Sequence, residues 1–225
     1  MILALANSKG GVGKTTIAVH LVAWMAQQGH RVAFVDSDVQ GSSSGWLGEA
    51  APDIKTYRLL TADDIVAQLP LIQSEFDYVV VDGPAGLSEV TRAIMCLADL
   101  AILPCGPSVL DLRAVMDAVE VLRRIQEARN GLPTAVIVPN KLQPQYRLSK
   151  ELVETVHGLE MPIGDGLRLR QAYADAAGQG TLVWRMPTQS ARGATAEMQF
   201  LFNQLISYGL NPSNYDRRAQ STPLA

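Results

Sequence analysis

Aromatic side chains are scarce: only 6% of the 225 residues are Phe, Trp or Tyr. A platform that stacks successive nucleic-acid bases on rings is therefore not expected. Cysteine is scarcer. Cys96 and Cys105 lie in apolar stretches without metal-ligand spacing, which reads as small buried side chains in a reducing compartment. The three histidines, His20, His30 and His157, fall on helical stretches or at a helix end, away from strand ends. Packing or surface roles are expected for them rather than catalysis. No apolar run reaches the ~18 residues of a membrane span. A secretory leader is not expected either, since a glycine-rich loop begins almost at the first residue. Charge is modest at 18%, with a net value of -3. It is unevenly spread, because residues 1–110 hold six Lys/Arg against eleven Asp/Glu and the remainder is slightly basic. That permits a basic face in the C-terminal half without establishing one.

What the chain does have is apolar material, 48% of its residues, and enough length for one large domain. A single domain is expected over residues 1–210, followed by a polar, disordered tail over 211–225. Short apolar runs alternate with helical stretches. Strands are expected at Ile2–Ala6, Arg31–Asp36, Ile54–Leu60, Tyr78–Asp82, Leu100–Pro104 and Thr134–Val138. Helices are expected at Ile17–Gln28, Asp63–Gln68 with Thr61 as N-cap, Ser88–Leu97, Asp111–Ala128, Ser149–His157, Leu167–Ala177 and Ala191–Tyr208. Ser42–Gly48 reads as a polar turn leading to a short helix that carries Trp46 and Leu47. Apolar strands without polar alternation imply an α/β fold, a mostly parallel sheet with helices on both faces.

In such sheets ligands bind beyond the carboxyl ends of the strands. Five polar groups fall there: Lys9 and Lys14 after the first strand, Asp36 and Asp38 closing the second, and Asp82 closing Tyr78–Asp82. Asn140 follows the last strand. The first group belongs to Asn7-Ser8-Lys9-Gly10-Gly11-Val12-Gly13-Lys14-Thr15-Thr16. Strand, glycine loop and helix make a phosphate cradle of P-loop type. Glycines let successive N–H groups face one anion, and the helix N-terminus adds its dipole. Lys14 then reaches the β/γ-phosphates and Thr15 offers its hydroxyl to Mg²⁺. The strict pattern fails at Ser8, which stands where a glycine is usual. Beside it, Lys9 is either a solvated loop lysine or a charge meant for phosphate, its own or a partner's.

Asp82 reads as the carboxylate that supports Mg²⁺ through water, or else as a turn aspartate before Gly83-Pro84. Asp36 is placed towards the metal and Asp38 towards the γ-phosphate, where it could orient a water. Two carboxylates near a triphosphate need the offsetting charge of Lys9, Lys14 and Mg²⁺. Nothing here resembles a nucleophile for a small acceptor, so phosphoryl transfer to water is the implied chemistry.

Lys9-Gly10-Gly11-Val12-Gly13-Lys14-Thr15-Thr16 resembles the deviant Walker A box of the ParA/MinD ATPases. Asp36-Ser37-Asp38-Val39-Gln40-Gly41 resembles their D-x-D-P-Q-G segment, with Val39 in place of the usual proline. Val80-Val81-Asp82-Gly83-Pro84 is similar to their Walker B strand. The resemblance implies an ATP-sandwich homodimer in which Lys9 crosses to the partner's phosphates. Lys14 and Thr15 would hold phosphate and Mg²⁺, Asp38 would position water, and Asn140 would approach the adenine. Binding by ATP would draw on Gly10, Gly11, Val12, Gly13 and Thr16 as well. It also implies a small ParA-type protein, cytoplasmic and nucleoid-associated, that binds DNA without sequence preference. Such a protein would position or segregate a plasmid or protein cargo, and a ParB-like or adaptor partner would stimulate its hydrolysis. Arg168, Arg170 and Arg192, extended by Arg147, Lys150 and Arg185, are the candidate DNA contacts. No N-terminal helix-turn-helix, basic terminal membrane helix or paired cluster cysteines accompany the box. The competing readings are a monomeric small-molecule enzyme similar to dethiobiotin synthetase, a MinD-like positioning ATPase, and a module that binds nucleotide without hydrolysing it.

Overall fold

A computed structural model describes residues 1–143, 145–159 and 161–210. The expected tail, 211–225, lies outside the described residues. Six strands form one all-parallel sheet in the order β3-β2-β4-β1-β5-β6. The strands are β1 Ile2–Leu5, β2 Val32–Asp36, β3 Lys55–Arg58, β4 Tyr78–Asp82, β5 Leu100–Cys105 and β6 Thr134–Pro139. Every residue of β1, β2, β4, β5 and β6 is buried, as a sheet covered on both faces requires. Alternate residues feed opposite cores. Leu3, Leu5, Phe34, Val80, Ile102 and Val138 pack beneath α1 (Lys14–Gln27) and α8 (Gln189–Leu210). Their neighbours face α3 (Ala62–Glu75), α4 (Glu89–Leu97), α5 (Val109–Ala128) and α6 (Arg147–His157).

The register is what positions the site. Asp82 pairs with Leu5 of β1 and with Asp36 of β2, and Asp36 pairs with Arg58 of β3. These four strands therefore end level, their last residues side by side along one edge, while β5 and β6 run on beyond them to Cys105 and Pro139.

Four expectations are corrected. The helix expected at Asp63–Gln68 runs on through Pro70 to Glu75. Ile65, Leu69 and Ile72 continue the buried stripe past it, and both Pro70 and Val66 are exposed, so water can meet the carbonyl that the missing N–H frees. The stretch Leu167–Arg170 is extended rather than helical, because it pairs with Leu142 (Leu142 N–H to Leu167 O, 3.0 Å; Leu169 N–H to Leu142 O, 2.9 Å). Helix α7 (Gln171–Gly178) begins only after it. The polar turn at Ser42 is already helical: α2 spans Ser42–Ala50, and the Asp36 carboxylate accepts the Ser44 N–H at 2.9 Å. Cys96 is exposed, whereas Cys105 is buried as expected.

His20 is a packing residue. It is fully buried in α1, with its ring edge-on to Trp46, Tyr173 and Trp184. Nδ1 donates to the Thr16 carbonyl at 2.7 Å and Nε2 accepts the Val183 N–H at 3.2 Å, which fixes the neutral tautomer. Burial lowers its pKa from 6.5 to about 4. Between those values the unfolded chain binds the proton that the folded chain refuses, so this contribution to stability is present above pH 6.5 and lost as pH falls towards 4. The shift corresponds to roughly 3 kcal/mol. Denaturant unfolding from pH 7 to pH 4 should show wild type losing about that much relative to His20→Gln; parallel curves would refute it.

Candidate nucleotide and metal site

The phosphate loop lies between the end of β1 and α1, whose N-cap is Gly13 with φ 99°. A side chain there is excluded twice, by that φ and because a Cβ would lie 2.1 Å from Asn140 Nδ2. The loop is braced from below. Asn140 is buried, donates to Val12 O at 2.7 Å and accepts the Lys141 N–H at 2.8 Å. Lys141, itself at φ 57°, donates Nζ to Gly11 O at 2.6 Å. Both side-chain atoms of Asn140 are thus engaged by backbone, so it shapes the loop.

Ser8 is an anchor. Its hydroxyl donates to Ala114 O of α5 at 2.9 Å, and Asn7 Nδ2 donates to Pro104 O at 2.6 Å. Lys9 is ion-paired within its own chain, Nζ to Asp111 Oδ1 at 2.7 Å, at the start of α5. Ser108 also donates to Asp111, at 2.5 Å.

Lys14 is buried and donates to the Lys9 carbonyl at 3.1 Å. Burial lowers its pKa, while Asp82 and Asp38 oppose that shift. Thr15 Oγ1 donates to Asp82 Oδ2 at 2.7 Å. Burial pushes the Asp82 carboxyl up to about 6, against the Thr15 hydroxyl and the Lys14 charge, and Asp36 adds to the rise. Asp36 is wholly buried and accepts the N–H groups of Asp38 (3.0 Å) and Ser44 (2.9 Å). Each oxygen thus takes one backbone N–H, shaping the Asp38 turn and capping α2, and keeps a further lone pair on the metal side of the motif. Asp38 is half-buried and accepts the Gln40 N–H at 2.9 Å.

The residues fit a divalent cation. Asp82 Oδ1, Ser37 Oγ and Ser43 Oγ are buried without a hydrogen-bond partner. Ser43 lies near enough to Asp82 to moderate its charge, yet no bond closes between them. Such oxygens beside the Thr15 hydroxyl suit Mg²⁺, which takes oxygen ligands and keeps several waters. The two serines were not recognised in the sequence, because an isolated serine beside a motif carries no signal of its own.

Residues 3–183 match the CobQ/CobB/MinD/ParA nucleotide binding domain. The chain belongs to that family. A relative from Halothiobacillus neapolitanus, named maintenance of carboxysome distribution protein A, is 32% identical over 209 residues, covering 91% of this chain and 95% of that one. The chromosome-partitioning ATPase Soj of Thermus thermophilus is 30% identical over 160 residues, covering 58% and 63%. Among solved structures, the Cyanothece McdA–ATP complex superposes with a TM-score of 0.76 at 19% identity, covering 93% and 96%. The fold is therefore that of the P-loop ParA/MinD proteins, and the chain is a ParA-type ATPase.

The candidate DNA contacts divide: Arg168, Arg170 and Arg192 gather along α8, while Arg147 and Lys150 lie apart on α6. Arg170 is bound by Glu197 through two bonds (3.1 and 2.6 Å) and lies against Gly193. Arg147 pairs with Glu151 at 2.5 Å, and Arg185 donates to Ala50 O. Arg168 is mostly exposed, 3.7 Å from Glu197, and Arg192 and Lys150 are exposed. Helix α6, carrying Arg147 and Lys150, covers one face of the sheet, while α8, carrying Arg192, covers the other.

Because Asn140 braces a loop that serves any nucleotide, Asn140→Ala should weaken ATP and GTP binding by the same factor, on the order of tenfold. Calorimetric titration with both nucleotides checks this; a loss confined to ATP would favour the adenine assignment.

Proposed function

We propose that the chain forms an ATP-dependent homodimer that binds DNA without sequence preference and positions or segregates a protein or plasmid cargo. The observation that carries the reading is Lys9. It stands at the mouth of the loop, over a third exposed, on a chain whose own Lys14 already fills the phosphate-side position. A second lysine beside a complete cradle is accounted for if it serves the phosphates of a second copy, as a cation supplied in trans. Leaving Asp111 for the partner exchanges one anion for another, so the charge of Lys9 is balanced in both states.

Within one subunit, Lys14 holds phosphate, and Asp38 orients the water that attacks it. Thr15 and Asp82 would hold Mg²⁺, directly and through water, and the ion would supply neutralising charge to the phosphates. The names of the relatives, carboxysome distribution and chromosome partitioning, support cargo positioning. By family likeness, hydrolysis is stimulated by a partner, ParB-like or an adaptor, and the dimer is nucleoid-associated. Among the described residues no helix is long and apolar enough to cross a membrane.

Gel filtration of Asp38→Ala with ATP, with ADP and with neither tests the dimer. A dimer should appear with ATP alone and be lost on adding Lys9→Ala; a monomer throughout would overturn the proposal. For DNA, Arg168 and Arg192 are the contacts with exposed charge. Their alanine variants should weaken a gel shift uniformly across sequences and reduce its salt dependence. Arg170→Ala should instead lower stability by roughly 1 kcal/mol, because it removes two charged hydrogen bonds from Glu197, which keeps Tyr173 and Arg168.

A further inference from the structure

The turn that carries Asp38 has a restraint that comes from outside the motif. Residues Asp38–Gly41 form a β-turn closed by the Gly41 N–H on the Asp38 carbonyl at 3.0 Å. Its second position is the one where proline, with its fixed φ, is favoured. Here that residue is Val39, 71% exposed, whose side chain contributes little packing. The turn is nevertheless tied down by Arg58, the last residue of the edge strand β3. Arg58 Nη2 donates to Asp38 O at 3.3 Å and to Val39 O at 3.2 Å. The guanidinium lies over Gly41, where a Cβ would sit 3.2 Å from its central carbon. Gly41 itself has φ 65°, so any side chain there would be strained as well as crowded.

The position of Arg58 is set by the sheet rather than by the turn. It pairs in register with Asp36, and the next residue, Leu59, donates its N–H to Asp36 O at 3.2 Å. Among the described residues no carboxylate lies within ion-pair distance of Arg58, and Nη2 serves both carbonyls. Its two N–H groups lie in the fixed plane of the guanidinium, an orientation that a freely rotating ammonium does not hold.

We propose that Arg58 is a positioning residue for Asp38: its guanidinium fixes the turn by hydrogen bonding where a proline would fix it by ring closure. This rests on the reading of Asp38 as the carboxylate that orients the attacking water. Since Arg58 is exposed and stands at a sheet edge, it restrains the turn without supporting the core. Its loss should loosen the Gln40 and Gly41 amides and leave nucleotide affinity alone.

The test combines hydrogen exchange with turnover in Arg58→Ala, Val39→Pro and the double variant. Arg58→Ala should melt at the wild-type temperature and bind ATP within about twofold of wild type. It should exchange the 38–41 amides faster and hydrolyse ATP more slowly, on the order of tenfold, since small misplacements of an orienting group are costly in rate. Val39→Pro in that background should slow exchange again and return most of the turnover. Wild-type exchange in Arg58→Ala, or exchange that Val39→Pro fails to slow, would overturn the proposal. Exchange that responds as expected while turnover stays at the wild-type rate would leave the restraint standing and remove Asp38 from its role with water.

Discussion

Two carboxylates, Asp36 and Asp82, stand at paired positions of adjacent strands, both closed off from solvent. Like charges so placed repel, and burial adds to the cost, so each needs its own compensation. The solutions differ. Asp36 takes backbone N–H groups from the turn and helix that follow it. Asp82 takes the Thr15 hydroxyl and the nearby charge of Lys14, and keeps one oxygen without a partner. One aspartate thereby organises the chain around the site, while the other is left with capacity for a cation. The phosphate loop, the α2 cap and the Asp38 turn all follow from that division.

Much of this was legible in the sequence. Buried parallel strands announce themselves as apolar runs, and the polar residues at their ends had to converge because such strands end level. The N-cap at Thr61 was recoverable because a hydroxyl before a helical stripe has a local cause. What failed had causes outside the local sequence. Leu167–Arg170 has helical composition, but a non-local strand-like pairing with Leu142 decides its conformation. The helix expected to end at Gln68 continues through Pro70, since a stripe of buried residues outweighs one lost hydrogen bond where water can meet the freed carbonyl.

The site was legible in composition and less so in assignment. The residue types at the strand ends were right, yet their tasks depend on which atoms the backbone already claims. Asn140 and Asp36 are read in sequence for their ligands, whereas the fold also gives each two bonds to backbone. Arg170 looks like a free cation and is held by Glu197, a partner 27 residues away that no motif links to it. Arg58 carries no motif signal at all, because its importance comes from strand register and from a turn seventeen residues before it, read together.

The inward turn of Asn140 and Lys141 has a mechanical consequence. Both close on carbonyls of the phosphate loop, at Val12 and Gly11, from the end of an edge strand. The loop is therefore stiff by loan: it has no packed side chains of its own at its glycines, and its shape is held from the far side of β1. Displacing the end of β6 would remove both supports from the cradle at once, so an edge strand sets the shape of a loop two strands away.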